Sequence, residues 1–226
     1  MALRLLRARL LSHWWLFILM GIASPISEER TYMDNQFSVA KRFLVALDLA
    51  AKAHAVLRRK SDHSPYLNHL IDVTSLLVKF GHDDEDLLIS AVLHDAVEDT
   101  TVNYDQLILM FGEEVADSVK GLSDDRRLSL QERRLGQLRK AKNGTRNHKL
   151  IKLSDAISNA SSMPLNWPLK QAKESLNHLK KLAGACGDVC PEMHQMLLEK
   201  LDSAIVLLEK SKHEISDKID DYIELK

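Results

Sequence analysis

The sequence predicts an all-α protein, and three observations carry that expectation. Gly (8) and Pro (5) together make only 13 of 226 residues, roughly half the usual share of turn-forming residues. Apolar residues recur at three- and four-residue spacing through most of the chain, the period of a helix face. Near the C-terminus two such stripes flank one short punctuated turn, the pattern of an antiparallel helical hairpin. Composition narrows the class further. Apolar residues at 45 % and charged residues at 28 % describe an ordinary folded protein. A net charge of −1 excludes coating nucleic acid by bulk positive charge, so no nucleic-acid partner is expected. Two cysteines, Cys186 and Cys190, exclude a disulfide-stapled mini-domain and a cysteine-only zinc site. They are expected to pair only if the protein is exported.

Residues 1–32 read apart from the fold. Arg4, Arg7 and Arg9 precede a run from Leu10 to Ala23 without Asp, Glu, Lys or Arg. Those fourteen residues would reach roughly 21 Å as a helix, short of a ~30 Å hydrocarbon core. A basic flank, a short apolar stretch and small residues look like a secretory signal or signal-anchor. The competing reading is a mis-assigned start, with Met33 the physiological one. The expected compartment is the cytoplasm, with membrane contact or export only if this segment is a true targeting sequence. Residues 33–210 should form one domain, and 211–226 a charged tail that frays.

Within the domain, Ala40, Phe43, Leu44, Leu47 and Ala51 set an amphipathic helix. A polar loop, Arg58 to Ser64, closes at Pro65. The next helix should run from about Asn68 to Phe80 and stop at Gly81, whose missing Cβ suits a helix end. Asp83 or Asp84 can cap a helix over 85–99, with Glu85 and Asp86 well placed in its first turn. Shorter helical patterns fill 103–122. From Arg126 to Lys152 there are ten Lys plus Arg against one acid, Glu132; such a run attracts phosphorylated ligands, though a solvated face is the commoner meaning. A helix around Lys149 to Ser162 stops at Met163-Pro164. Leu169, Ala172, Leu176, Leu179 and Ala183, then Met193, Leu197, Leu201, Ala204 and Leu208, give the closing hairpin. The chain has no repeat, low-complexity tract, P-loop or G-x-G-x-x-G.

The informative residues are polar ones in apolar helices. The span 85–99 is apolar on nearly every side, which marks a buried helix, yet it ends in His94, Asp95, Glu98 and Asp99. His94 and Glu98, like Asp95 and Asp99, are four apart and stack on one surface. Burying their carboxylates without partners would cost several kcal/mol each, and a cation is the simplest compensation. The conflict recurs at Asp155 and Asn159, beyond the apolar run at Leu150. His69 is a third anchor. A lone His is more often an ordinary core or surface residue, and an acidic helix end is usually solvated. The combined order carries the signal: two imidazoles and two carboxylates suit a divalent ion with open positions rather than a closed structural zinc.

These residues resemble a known family. Arg59-Lys60, Pro65-Tyr66-Leu67-Asn68-His69, Leu93-His94-Asp95-Ala96-Val97-Glu98-Asp99-Thr100, Phe111-Gly112, Gly121-Leu122-Ser123 and Lys152-Leu153-Ser154-Asp155 together resemble the HD-domain phosphohydrolases. Within them the chain is similar to the hydrolase domain of RelA/SpoT homologues, above all the single-domain small alarmone hydrolases. The resemblance spans about Ala40 to Leu208 and implies an HD-type helical bundle. It implies that His69, His94, Asp95 and Asp155 bind one metal, usually Mn²⁺. It implies that Glu98 and Asp99 act on the attacking water and leaving phosphate, and that Arg59, Lys60 and Asn159 contact the nucleotide. The chain departs from the family pattern at Ser64 (usually Gly), Leu70 (usually Pro) and Ser161 (commonly Arg), while Ser162 supplies a hydroxyl beside the last. The synthetase half of the long relatives has no counterpart in the 71 residues after Asp155, so net alarmone synthesis is not expected.

The chemistry agrees with the residues. A divalent metal lowers the pKa of water from 15.7 toward ~7, Glu98 can take or position the water's proton, and cations stabilise the developing charge. The expected reaction is removal of the 3′-pyrophosphate from guanosine tetra- or pentaphosphate, with that guanine nucleotide as the partner. The alternatives are an HD-type phosphatase of another nucleotide such as NADPH, or a slow-turnover nucleotide sensor. The intact Glu98-Asp99 pair argues against the sensor.

Overall fold

A computed structural model describes the backbone of residues 40–224 and the side chains of 40–211; the N-terminal hydrophobic segment lies outside the described residues. The chain divides into two units, Met1–Leu44 and Val45–Lys226. Of the first, only residues 40–44 are described, and they are helical.

The second unit is all-α. Its helices are α1 (residues 45–53 within this unit), α2 (Leu67–Lys79), α3 (Glu85–Val92), α4 (Ala96–Asp99), α5 (Tyr104–Phe111), α6 (Glu113–Leu122), α7 (Leu130–Asn143), α8 (Arg146–Ser161), α9 (Leu169–Cys186) and α10 (Pro191–Glu224). Among the described residues the only β-type pairing is an isolated bridge between Arg58 and Pro65. No helix of the described residues is long and apolar enough to cross a membrane.

Local chemistry explains most boundaries. Asp84 caps α3 by accepting from the Leu87 N–H at 2.9 Å, and Asn103 does the same for α5 through Gln106 at 3.0 Å. Ser129 and Glu132 form a reciprocal capping box on α7, satisfying two orphan donors at once. Thr145 caps α8 through the His148 N–H, so that helix starts three residues before the expected Lys149. Gly81 follows α2 with φ 77°, a left-handed geometry that glycine adopts without steric penalty.

Two expectations are corrected. In α1 the buried positions are Ala46 and Ala50, while Leu47 and Ala51 are half-buried. The small side chains let the helix approach closely, so the stripe Ala46-Ala50-His54 faces inward instead. The span 85–99 is two helices, broken at Leu93-His94-Asp95. There the backbone tightens to three-residue bonds, His94 N–H to Ala91 O and Ala96 N–H to Leu93 O, while the His94 ring also takes the Ala91 carbonyl at 2.8 Å. A ring that bonds its own backbone competes with the regular ladder. The backbone of α10 is helical through Glu224.

Helix α8 is the axis of this unit, packing against α2, α9 and α10. It buries Leu150, Ile151, Leu153, Ala156, Ile157 and Ala160, and with them the polar His148, Lys152, Ser154 and Ser158. Leu176, Leu179, Met193, Leu197 and Leu201 of the α9–α10 hairpin close the core over it. Cys186 and Cys190 are free thiols buried in that hairpin, and burial pushes Cys186 up to about 11.

The core also contains an acid-labile group. Burial and the nearby Lys152 and Lys140 charges hold His148 down at about 4, whereas an unfolded histidine titrates near ~6.5. Between those values the unfolded chain binds a proton that the fold refuses, so stability is lost as pH falls. Melting temperature should therefore drop from pH 7 to 4.5, and His148→Gln should make that drop shallower. His178, also held near 4 by burial, keeps part of the slope. An unchanged slope in the variant would place the acid sensitivity elsewhere.

Candidate metal centre

Three elements deliver the four predicted ligands to one point. His69 comes from the first turn of α2, His94 and Asp95 from the break between α3 and α4, and Asp155 from the middle of α8. Ligand atoms of His69, His94 and Asp95 lie within 4.8 Å of one another. Asp155 Oδ1 joins them at 3.3 Å from His69 Nε2 and 3.9 Å from His94 Nε2. Asp95 Oδ2 is 3.9 Å and 3.1 Å from the same two nitrogens. Both rings are 1 % exposed.

The surroundings orient each ligand. A carbonyl only accepts, so the His94 Nδ1 bound to Ala91 O at 2.8 Å carries a hydrogen, and Nε2 is the nitrogen that faces the cluster. That Nε2 is buried without a hydrogen-bond partner. His69 Nδ1 is fixed by Ser158 Oγ at 2.9 Å. The Tyr66 hydroxyl donates to Asp95 Oδ2 at 2.7 Å, and burial raises its pKa so that it remains a donor. Asn159 Nδ2 donates to Asp155 Oδ1 at 2.6 Å.

Charge explains what the cluster attracts. Burial opposes ionisation of Asp95 and Asp155, but their neighbours, His94 and His69 among them, outweigh it and hold both well below the usual carboxylate range. Burial likewise opposes a charged His94, yet Asp95 and Asp155 raise it to about 9. Two ionised carboxylates thus draw positive charge to an orphaned imidazole nitrogen. Two imidazoles and two carboxylates with held orientations fit a divalent ion.

Beside the cluster opens a cleft of ≈ 380 Å³. Lys152 lies at its base, 7 % exposed, with Nζ 3.9 Å from Asp155 Oδ2. Sequence reasoning counted it as one charge in a basic run and missed its burial. One wall is the loop after α1, pinned by Arg59 N–H to Ser64 O and Tyr66 N–H to Leu57 O. It brings the Arg59 guanidinium to Asn159 Oδ1 at 3.4 Å and to Ser162 Oγ, with Lys60 on the same wall. Arg133 and Arg134 from α7, Gln137, and Trp167 and His178 line the remainder. The basic run therefore divides: Arg133, Arg134 and Lys152 face the cleft, while Arg139 and Lys142 stay on the surface.

Glu98 and Asp99 stand at the other edge of this region. Glu98 accepts the Asp124 backbone N–H at 2.9 Å, and Arg126 and Arg133 lie 3.5 and 3.9 Å from its Oε1. Burial raises its pKa, and the Asp95 and Asp124 charges add to the effect. Asp99 is paired with Arg126.

Fold and site together define a class: an all-α protein whose packed helices present a His/Asp cluster that could hold a metal ion, beside a basic cleft. Within that class the chain belongs to the HD domain family, whose profile matches residues 46–177. It is 36 % identical over 135 residues to guanosine-3′,5′-bis(diphosphate) 3′-pyrophosphohydrolase MESH1 of Drosophila melanogaster, covering 59 % of this chain and 75 % of the relative. It is 36 % identical over 143 residues to MESH1 of Homo sapiens, covering 61 % and 80 %. A solved metazoan orthologue of SpoT, described as hydrolysing ppGpp with a role in starvation responses, superposes with TM-score 0.68 at 31 % identity, covering 72 % of this chain and 94 % of that one.

Proposed function

We propose that the chain is a metal-dependent hydrolase that removes the 3′-pyrophosphate of guanosine tetra- or pentaphosphate, leaving GDP or GTP. One observation carries the reading: the His/Asp cluster adjoins a cleft lined by Arg59, Lys60, Arg133 and Arg134. Such a lining suits a multiply phosphorylated ligand. The names of the MESH1 relatives support the same substrate class.

In this reading His69, His94, Asp95 and Asp155 hold one divalent ion, with Mn²⁺ the proposed metal. When bound, that ion supplies Lewis-acid activation of water. The chain's own residues do the rest. Glu98, with its pKa raised by burial, takes or orients the water's proton. Asp99 acts beside it toward the departing phosphate, with Arg126 on its carboxylate. Lys152 and Arg133 face the charge that develops as the phosphorus–oxygen bond breaks. Arg59 and Lys60 hold the nucleotide, while Asn159 and Ser162 fix the Arg59 guanidinium.

Incubating the Mn²⁺-loaded protein with guanosine tetraphosphate is expected to release pyrophosphate and GDP, read by mass spectrometry. Orthophosphate from another nucleotide as the sole product would overturn the substrate and retain the hydrolase. Inertness toward every phosphorylated nucleotide with Mn²⁺, Co²⁺, Ni²⁺ or Mg²⁺ would overturn the enzyme reading.

A further inference from the structure

Glu98 is held from an unexpected direction. Its Oε2 accepts the backbone N–H of Asp124, in the loop after α6, at 2.9 Å. The Asp124 side chain is only 5 % exposed, and its carboxylate is tied to α7 by two groups. Gln137 Nε2 donates to Oδ2, and Lys140 Nζ lies 3.7 Å from Oδ1 while also donating to the neighbouring Ser123 carbonyl. Gln137 in turn meets His178 of α9, with Oε1 2.6 Å from Nε2.

The polarity of this chain of bonds is fixed by its end. A carboxylate oxygen accepts from an amide N–H, and Gln137 turns its Nε2 to Asp124 and its Oε1 to His178. His178 Nε2 must then carry the hydrogen. Burial and the Arg134 and Lys152 charges keep that ring neutral at pH 7, consistent with a single donor there. Three separate elements, α9, α7 and the loop after α6, are thus linked in one direction to the carboxylate of Glu98. Gln137 and His178 also line the cleft, so its far wall is mechanically joined to Glu98.

We propose that Asp124, Gln137 and His178 form a relay of positioning residues that sets the orientation of Glu98. The proposal rests on the hydrolase reading above for its consequence in turnover, but the hydrogen bonds themselves can be read without it. Arg126 of the loop and Arg133 of α7, at 3.5 and 3.9 Å from Glu98 Oε1, attract the other carboxylate oxygen. The anchored Asp124 N–H opposes that pull. Cutting the relay lets the loop and the carboxylate shift together, and a misplacement of ~1 Å can cost as much as ~10²-fold in rate.

The test uses the Mn²⁺-loaded full chain and two readouts. Gln137→Ala is expected to lower kcat on guanosine tetraphosphate about ten-fold, a partial form of that positional loss, with KM changed less than about two-fold. Hydrogen exchange at the Asp124 amide should accelerate about ten-fold, with Mn²⁺ content unchanged. His178→Ala should follow in the same direction, and His178→Gln, whose amide nitrogen reaches the Nε2 position, should recover most of the loss. A raised KM with unchanged kcat would make Gln137 a substrate contact and overturn the relay, as would unaltered Asp124 exchange. If Gln137→Ala does not fold, His178→Ala cuts only the far link and decides by the same two measurements. A wild-type protein inert on guanosine tetraphosphate overturns the substrate reading alone, and amide exchange still decides the relay.

Discussion

His94→Ala and Asp155→Ala are each expected to lose bound Mn²⁺, all detectable hydrolysis and a substantial part of thermal stability. The cause is the site's charge balance. Asp95 and Asp155 are held ionised by neighbouring imidazoles and, for Asp155, by Lys152 at 3.9 Å. A divalent ion at a concentration of about 100 Kd adds about 2.7 kcal/mol to the folded state. For a chain of this length each kcal/mol moves the melting temperature by ~2–4 °C, so losing the ion should cost roughly 5–10 °C. Removing a buried ring also leaves a cavity, which by itself destabilises, so a lower melting temperature alone decides nothing. Chelator separates the two effects. Stripping the metal should lower the wild-type melting temperature by several degrees and leave the variants unmoved, because effects that share one cause are not additive. Variants that still respond to chelator would show that the ion does not depend on these side chains.

The site was legible where polar residues contradict their surroundings. Asp155 stands in a helix otherwise buried through Leu150, Ile151, Leu153, Ala156 and Ile157, and His94-Asp95 ends an apolar run. Such conflicts are costly enough to be informative in sequence. The structure brings all four together, along with Arg59, Asn159 and Ser162, whose separation of about a hundred residues no local pattern encodes.

What stayed hidden had ordinary local signatures. The break at Leu93–Asp95 contains no Gly or Pro; it arises because the His94 ring takes a backbone carbonyl of its own helix. Lys152 looked like one more charge in a basic stretch, and only the packing of α8 buries it among four acids. Ser158 reads as a neutral helix residue, yet it orients His69. Asp124 has no signal in the sequence, because a backbone N–H donating to a distant carboxylate leaves no trace in residue type. The first helix misled in register for a similar reason: the larger apolar residues suggested one face, while close packing selected the small Ala46 and Ala50.

Glu98→Gln should behave unlike any ligand variant. The substitution keeps the side chain's length and leaves an oxygen to accept the Asp124 N–H, now at 2.9 Å from Oε2. It removes the negative charge that faces Arg126 and Arg133 and, above all, the ability to take a proton. Burial already raises the Glu98 pKa, which strengthens the carboxylate as a base near neutral pH. Mn²⁺ content should therefore match wild type, and the melting temperature should stay within a few degrees, while kcat falls by ~10²–10⁴-fold, the usual span for a positioned acid–base group. KM should change little, because Arg59, Lys60 and Arg134 are untouched. Elemental analysis beside the rate separates the roles of the two carboxylate sets. Full loss of metal in Glu98→Gln, equal to that in His94→Ala, would make Glu98 a ligand and return the proton transfer to another group, with Asp99 next in place along α4.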